Sequence, residues 1–155
     1  MKKYLVSCIA VLTFVLMFVW LALAFSVLDV PVIGGPTTGY DILKTGTSEY
    51  ASSAANARYV FLLLSVIFGG VTVLAAVGAS LKAAKVLKCK FDLNMVVVCL
   101  LAFTALLAVV ATICGFCIEV PAAYKDYVKL GAGVILFPVF TVIGAVCAFV
   151  FRKAK

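Results

Sequence analysis

Four long apolar runs constrain this chain more than any other feature. They cover roughly Tyr4–Val27, Tyr59–Ser80, Leu93–Ile118 and Leu130–Phe151, and none holds a charged residue in its interior. A helix needs ~20 apolar residues to cross the hydrocarbon core of a bilayer. A spanning helix also satisfies its own backbone hydrogen bonds, which lipid cannot do for it. The alternating pattern of a membrane barrel is absent. The expected fold class is therefore an all-α membrane protein, a four-transmembrane-helix bundle. Composition excludes the soluble alternative. Of the residues, 66% are hydrophobic and 12% are charged, whereas a soluble domain carries about 25% charged residues.

The first run begins after "MKK", like a signal peptide, and "ALA" at Ala22–Ala24 looks like a cleavage site. A secretory apolar region is about 7–15 residues long, and this one is longer. "LVSC" at Leu5–Cys8 has the form of a lipoprotein cleavage box, but it lies too close to Lys3 to leave room for that region. The run reads as an uncleaved signal anchor.

Basic residues set the orientation. Lys2, Lys3, Lys82, Lys85, Lys88, Lys90, Arg152, Lys153 and Lys155 fall on one side with the single acid Asp92. Lys44, Arg58, Lys125 and Lys129 fall on the other with Asp29, Asp41, Glu49, Glu119 and Asp126. The positive-inside rule puts the first set, and both termini, in the cytoplasm. The net charge of +7 is then mostly a topology signal. Nucleic acid is excluded as a partner because no soluble module carries a basic face. The lipid bilayer is the first expected partner, and lysines 82–90 attract its anionic headgroups.

"TVLAAVGA" at Thr72–Ala79 is nearly repeated by "TVIGAVCA" at Thr141–Ala148. Cys8, Thr13, Leu16, Val19 and Phe25 also match Cys99, Thr104, Leu107, Val110 and Phe116 at one constant offset. "DVP" at Asp29–Pro31 echoes "EVP" at Glu119–Pro121. The co-linear order indicates a tandem duplication of a helix hairpin, with halves related by a pseudo-two-fold axis along the membrane normal. The chain is then a single four-helix domain over 1–155. The first half, 1–80, has a long outer loop at 28–58. A cytoplasmic loop occupies 81–92. The second half, 93–155, has a short outer loop at 119–129.

Within the repeated word, Ala75 with Ala79 and Gly144 with Ala148 are small residues four apart. They form strips where helix backbones approach closely, and contact inside one monomer is expected before oligomer contact. Pro138 interrupts the fourth run, removes a backbone donor from the carbonyl of Val134 and kinks the helix. The spans hold no Asp, Glu, Lys, Arg or His, which argues against a proton-coupled pump.

Cys114 and Cys117 form "CGFC" near the outer end of the third helix. The motif resembles the redox pair of membrane enzymes that pass disulfide electrons to quinones. Those enzymes relay electrons through a second cysteine pair in an outer loop, and the outer loops here have no cysteine. No enzyme activity and no cofactor are expected, and the cysteine pair reads as structural. No metal site is expected either, because histidine is absent and two thiols make an incomplete zinc set.

The first outer loop is long and partly apolar. Val30–Ile33 has extended character, Gly34, Gly35 and Pro36 mark a turn, and a helix is expected from about Thr47 or Ser48 as N-cap with Glu49 in its first turn. Asp29 and Glu119 end the first and third helices at matching places. Across a pseudo-symmetric mouth they form a candidate rim with Tyr40, Asp41, Tyr124 and Asp126, suited to a cation or a basic group. The simpler reading is that Pro31 and Pro121 stop the helices and the acids sit in water. Claudin-like proteins carry a tryptophan and a cysteine pair in the first outer loop, and tetraspanins a cysteine-rich second loop. Neither signature is present.

The leading expectation is a multi-pass cell-membrane protein working in interaction, assembly or sensing through helix packing and its outer loop. Its partner is another protein or a further copy of itself. A small oligomeric channel or transporter is the alternative, and a thiol-disulfide oxidoreductase the third. The "MKK" start and the lack of glycosylation sequons lean towards a bacterial inner membrane.

Overall fold

The computed structural model describes residues 4–28, 36–47, 52–88, 90–119 and 128–153. In chain order the elements are α1 (Leu5–Leu21), β1 (Ala24–Leu28), β2 (Pro36–Thr38), α2 (Gly39–Thr45), α3 (Ser53–Ala83), α4 (Leu93–Phe116), β3 (Val128–Leu130) and α5 (Ala132–Lys153). Three of the helices, α3, α4 and α5, are long and apolar enough to cross a membrane, and α1 is a shorter apolar helix of 17 residues. The fold is that of a helical membrane bundle.

The four apolar helices form a ring. Neighbours are α1 with α3, α3 with α4, α4 with α5, and α5 with α1, while the diagonal contact between α1 and α4 is thin. Large side chains point outward: Leu12, Ile67, Leu74, Leu106, Ile113 and Val146 are exposed. Small or hydroxyl-bearing ones point inward: Ala10, Ser65, Thr72, Ala76, Thr104, Ala108, Thr141 and Ala148 are buried. In water this arrangement would be costly. In lipid an exposed leucine costs nothing, and close backbone packing holds the helices together.

Two apolar clusters fill the interior. Val6, Ala10, Ala76, Val97, Leu101 and Ala148 occupy the end where α1 begins and α3 ends. Met17, Leu21, Leu62, Ala108, Val134 and Phe137 occupy the other. Thr13, Thr72 and Thr104 each donate their hydroxyl to the carbonyl four residues back, at 2.8, 2.7 and 2.9 Å, while the Thr141 hydroxyl lies 2.8 Å from the Pro138 carbonyl and 3.2 Å from that of Phe137. The Ser65 hydroxyl instead crosses from α3 to the Thr104 carbonyl of α4, at 3.3 Å. At Gly144, α5 comes close to α1: a Cβ there would lie 2.2 Å from Thr13 Oγ1 and 3.0 Å from Thr13 Cβ. At Gly69 of α3 a Cβ would lie 2.8 Å from the Phe14 ring of α1.

At one end of the bundle β1 is the centre of a three-stranded antiparallel sheet. It pairs with β2 (Ser26 opposite Thr37) and with β3 (Ser26 opposite Leu130), so two segments far apart in sequence meet on one strand. At the opposite end Asp92 caps α4, accepting from the backbone N–H of Asn94 and Met95. Arg152 of α5 donates to the same carboxylate at 3.0 Å and is the main reason Asp92 titrates below the usual carboxylate range.

Several sequence expectations are corrected here. The helical class holds, with a short three-stranded sheet added at one end of the bundle. The first helix does not run to Val27. It ends at Leu21, and residues 24–28 form β1. No Gly or Pro marks that stop. Pairing with β2 and the distant β3 overrides the local helical pattern, as tertiary context often does. The long outer loop contains α2, which was not expected. The N-cap of α3 is Ser52, whose Oγ accepts from Ala55 N–H at 3.2 Å, not Thr47 or Ser48. The extended stretch Val30–Ile33 and Gly34–Gly35 lie outside the described residues.

Gly144→Ala should destabilise the bundle by about 1–3 kcal/mol through overpacking. Thr13→Ala in the same chain should recover most of that loss, measured as unfolding in detergent micelles. Equal stability of Gly144→Ala and the native chain would refute the close contact.

Candidate functional site

The candidate site is the end of the bundle that carries the sheet and α2. Thr38 and Asp41 build α2 locally. The Thr38 side chain accepts from Asp41 N–H at 3.2 Å, and Asp41 Oδ2 accepts from Thr38 N–H and Oγ1 at 2.8 and 2.7 Å. This reciprocal box fixes the helix start. The backbone hydrogen bond from Thr38, and then its hydroxyl, hold the Asp41 carboxyl below its ordinary titration range. Tyr40 points back to the bundle. Its hydroxyl donates to the Phe18 carbonyl at 3.0 Å, and its ring stacks on Phe18 at 6.5 Å between centroids. Ile42 and Leu43 pack against the Met17–Phe137 cluster. The short helix is therefore a tie that closes the top of the core.

This placement changes the candidate rim. Tyr40 and Asp41 are engaged in holding α2, and Glu119 is exposed just past α4. Asp29, Tyr124 and Asp126 lie outside the described residues, so the meeting of the two repeat carboxylates across the mouth is not described.

Arg58 went unnoticed in the sequence beyond its charge. It sits in the first turns of α3, half-buried, and its side chain lies over α4. A Cβ on Gly115 would come within 3.3 Å of Arg58 Nε. The glycine of "CGFC" thus leaves room for a guanidinium. The available signal was an arginine ahead of a long apolar run, opposite a glycine between two cysteines. Cys114 is half-buried and Cys117 exposed, both free thiols. They stand on the last turn of α4, where Cys117 N–H donates to the carbonyls of Ile113 and Cys114 at 3.1 and 3.2 Å. Among the described residues no three His, Cys, Asp or Glu side chains converge as a metal set.

The remaining sequence candidates lie inside the bundle. Ala79, Gly144 and Ala148 are buried between helices and Ala75 is partly buried. Trp20, at the end of α1, stacks on Phe140 of α5 at 4.6 Å between centroids. Pro138 is buried, and α5 continues through it as one helix. The carbonyl it frees, that of Val134, accepts from the Thr112 hydroxyl of α4 at 3.2 Å, and this hydroxyl is also 3.0 Å from the Ala108 carbonyl. A neighbouring helix thus replaces the donor that proline removes, as membrane helices require.

Compared with protein-family models, with curated proteins and with solved structures, the chain shows no significant match. The geometry alone carries the functional argument.

Thr112→Val should cost about 1 kcal/mol by leaving the Val134 carbonyl without a donor. In a Pro138→Ala background the cost should shrink, because residue 138 then supplies an N–H. Equal costs of Thr112→Val in both backgrounds, read by unfolding in micelles, would refute the replacement.

Proposed function

We propose that the chain crosses the membrane four times and works as an interaction or assembly subunit. It presents the sheet and α2 to a protein partner or to another copy of itself. The observation that carries this reading is the filled bundle axis. Apolar clusters occupy both halves, and the four buried threonine hydroxyls bond to their own helix carbonyls. Ion paths are built from carbonyl rings, charged rings or wettable constrictions. The described interior offers closed packing instead. What remains for contact is the outer layer, a platform tied to the bundle by Tyr40 and by the packing of Ile42 and Leu43 on the core.

Two features support four spans. At ~1.5 Å per residue, α1 rises about 26 Å, close to the ~30 Å hydrocarbon thickness. Tyr4 and Trp20 flank it, and such aromatics favour the interface. The hairpin duplication is part of the same proposal. Its support is that Thr13 and Thr104 make matching bonds, and that the ring order is unchanged on exchanging α1 with α4 and α3 with α5. Phe25 and Phe116 depart from it, one in a strand and the other in a helix. Both termini then face the cytoplasm of a cell membrane, with the sheet outside.

Reconstituted into liposomes, the protein should dissipate K⁺, Na⁺ and Cl⁻ gradients no faster than empty liposomes. A photo-crosslinker at the exposed Lys44 of α2 should capture a defined adduct on intact membranes and lose it when Thr38→Val unravels the cap. Protein-dependent ion flux would transfer the chain to the channel class.

A further inference from the structure

Between α1 and α3, on the side of the Phe14–Gly69 contact away from the sheet, the bundle surface opens into an apolar groove of about 660 Å³. Its walls run from Tyr4 to Val15 on α1 and from Ala76 to Ala84 on α3. At ~1.5 Å per residue, the α1 wall is about 17 Å long. One leaflet contributes ~15 Å of hydrocarbon, half of ~30 Å. The groove therefore has the depth of a single leaflet.

Two further observations indicate what fills it. Ser7 lines the groove, is 5% exposed, and its Oγ has no hydrogen-bond partner among the described residues. Ser80, on the opposite wall, does bond, to the Ala76 carbonyl at 3.0 Å. An unpaired hydroxyl in hydrocarbon is costly, and Ser7 stands one turn in from the mouth. The mouth itself is basic. Ala84 of the groove is followed by Lys85, which is exposed and holds a left-handed backbone at φ 63°, with Lys88 exposed beyond it. Tyr4, at the other lip, is preceded in sequence by Lys2 and Lys3.

We infer that this groove is a binding site for one anionic phospholipid: an acyl chain lies between α1 and α3, its ester oxygen accepts from Ser7, and its phosphate meets the lysines after Ala84. Leaflet-matched depth, an unused donor at ester level and positive charge at headgroup level all coincide on one groove. A helix from a second copy would bring no phosphate to the lysines at the mouth.

The test uses the full-length protein equilibrated in nanodiscs of equal phosphatidylglycerol and phosphatidylcholine, then analysed by native mass spectrometry. One phosphatidylglycerol per chain should be retained in preference to phosphatidylcholine. Cys8→Trp places an indole in the groove from an exposed position and should abolish retention. Lys85→Gly with Lys88→Gln should lower the preference about fivefold for each lysine removed, and glycine suits the left-handed backbone at 85, so folding is preserved. Ser7→Ala should lower occupancy without changing the headgroup preference. Equal retention of both lipids by the native chain would overturn the inference, as would retention unaltered by Cys8→Trp. A photo-crosslinker at Leu12 that yields a protein dimer and no lipid adduct would assign the groove to a second copy instead.

Discussion

Hydrocarbon offers no hydrogen bond to a peptide group, and the rest of this structure depends on that fact. It forces the apolar runs into helices, and it dictates what their few polar side chains do. Thr13, Thr72, Thr104 and Thr141 turn inward and bond to their own helices. Where Pro138 breaks the pattern, Thr112 of the neighbouring helix supplies the lost donor. Strands, whose edges lipid cannot satisfy, are confined to one end of the bundle, beyond the helix ends.

The same constraint separates scaffold from surface. Many large side chains face outward, and the contacts at Gly144 and Gly69 set how near α1 comes to α5 and α3. That closeness leaves the axis filled. It also fixes the platform above, because β1 continues directly from α1 and α5 follows β3. A force on the sheet therefore acts on two helices at once. Arg58 adds a third tie, resting across the α4 turn that carries Cys114 and Cys117.

The helical class and the position of three long helices were legible because each is a run of apolar residues without charge, a signal that needs no tertiary information. The missing donor at Pro138 was legible for the same reason, since it follows from one residue's covalent structure. Its remedy was not, because Thr112 and Val134 meet only through packing. The end of α1 at Leu21 was illegible: "WLALAFSVL" reads as helix, and only pairing with residues 36–38 and 128–130 makes it a strand. Tyr40 and Asp41, expected in a rim, serve the α2 cap and its latch to Phe18. Arg58 stayed hidden because its meaning lies in the space left by Gly115.

The four-span arrangement is the claim on which the platform reading stands, and α1, the shortest of the four apolar helices, is its critical member. The most direct measurement is antibody access to epitope tags placed at each terminus, in intact cells and after permeabilisation. With four spans, both tags are protected in intact cells and become accessible together on permeabilisation. An amino-terminal tag reached in intact cells while the carboxyl-terminal tag stays protected would mean that α1 does not cross, and would contradict the account.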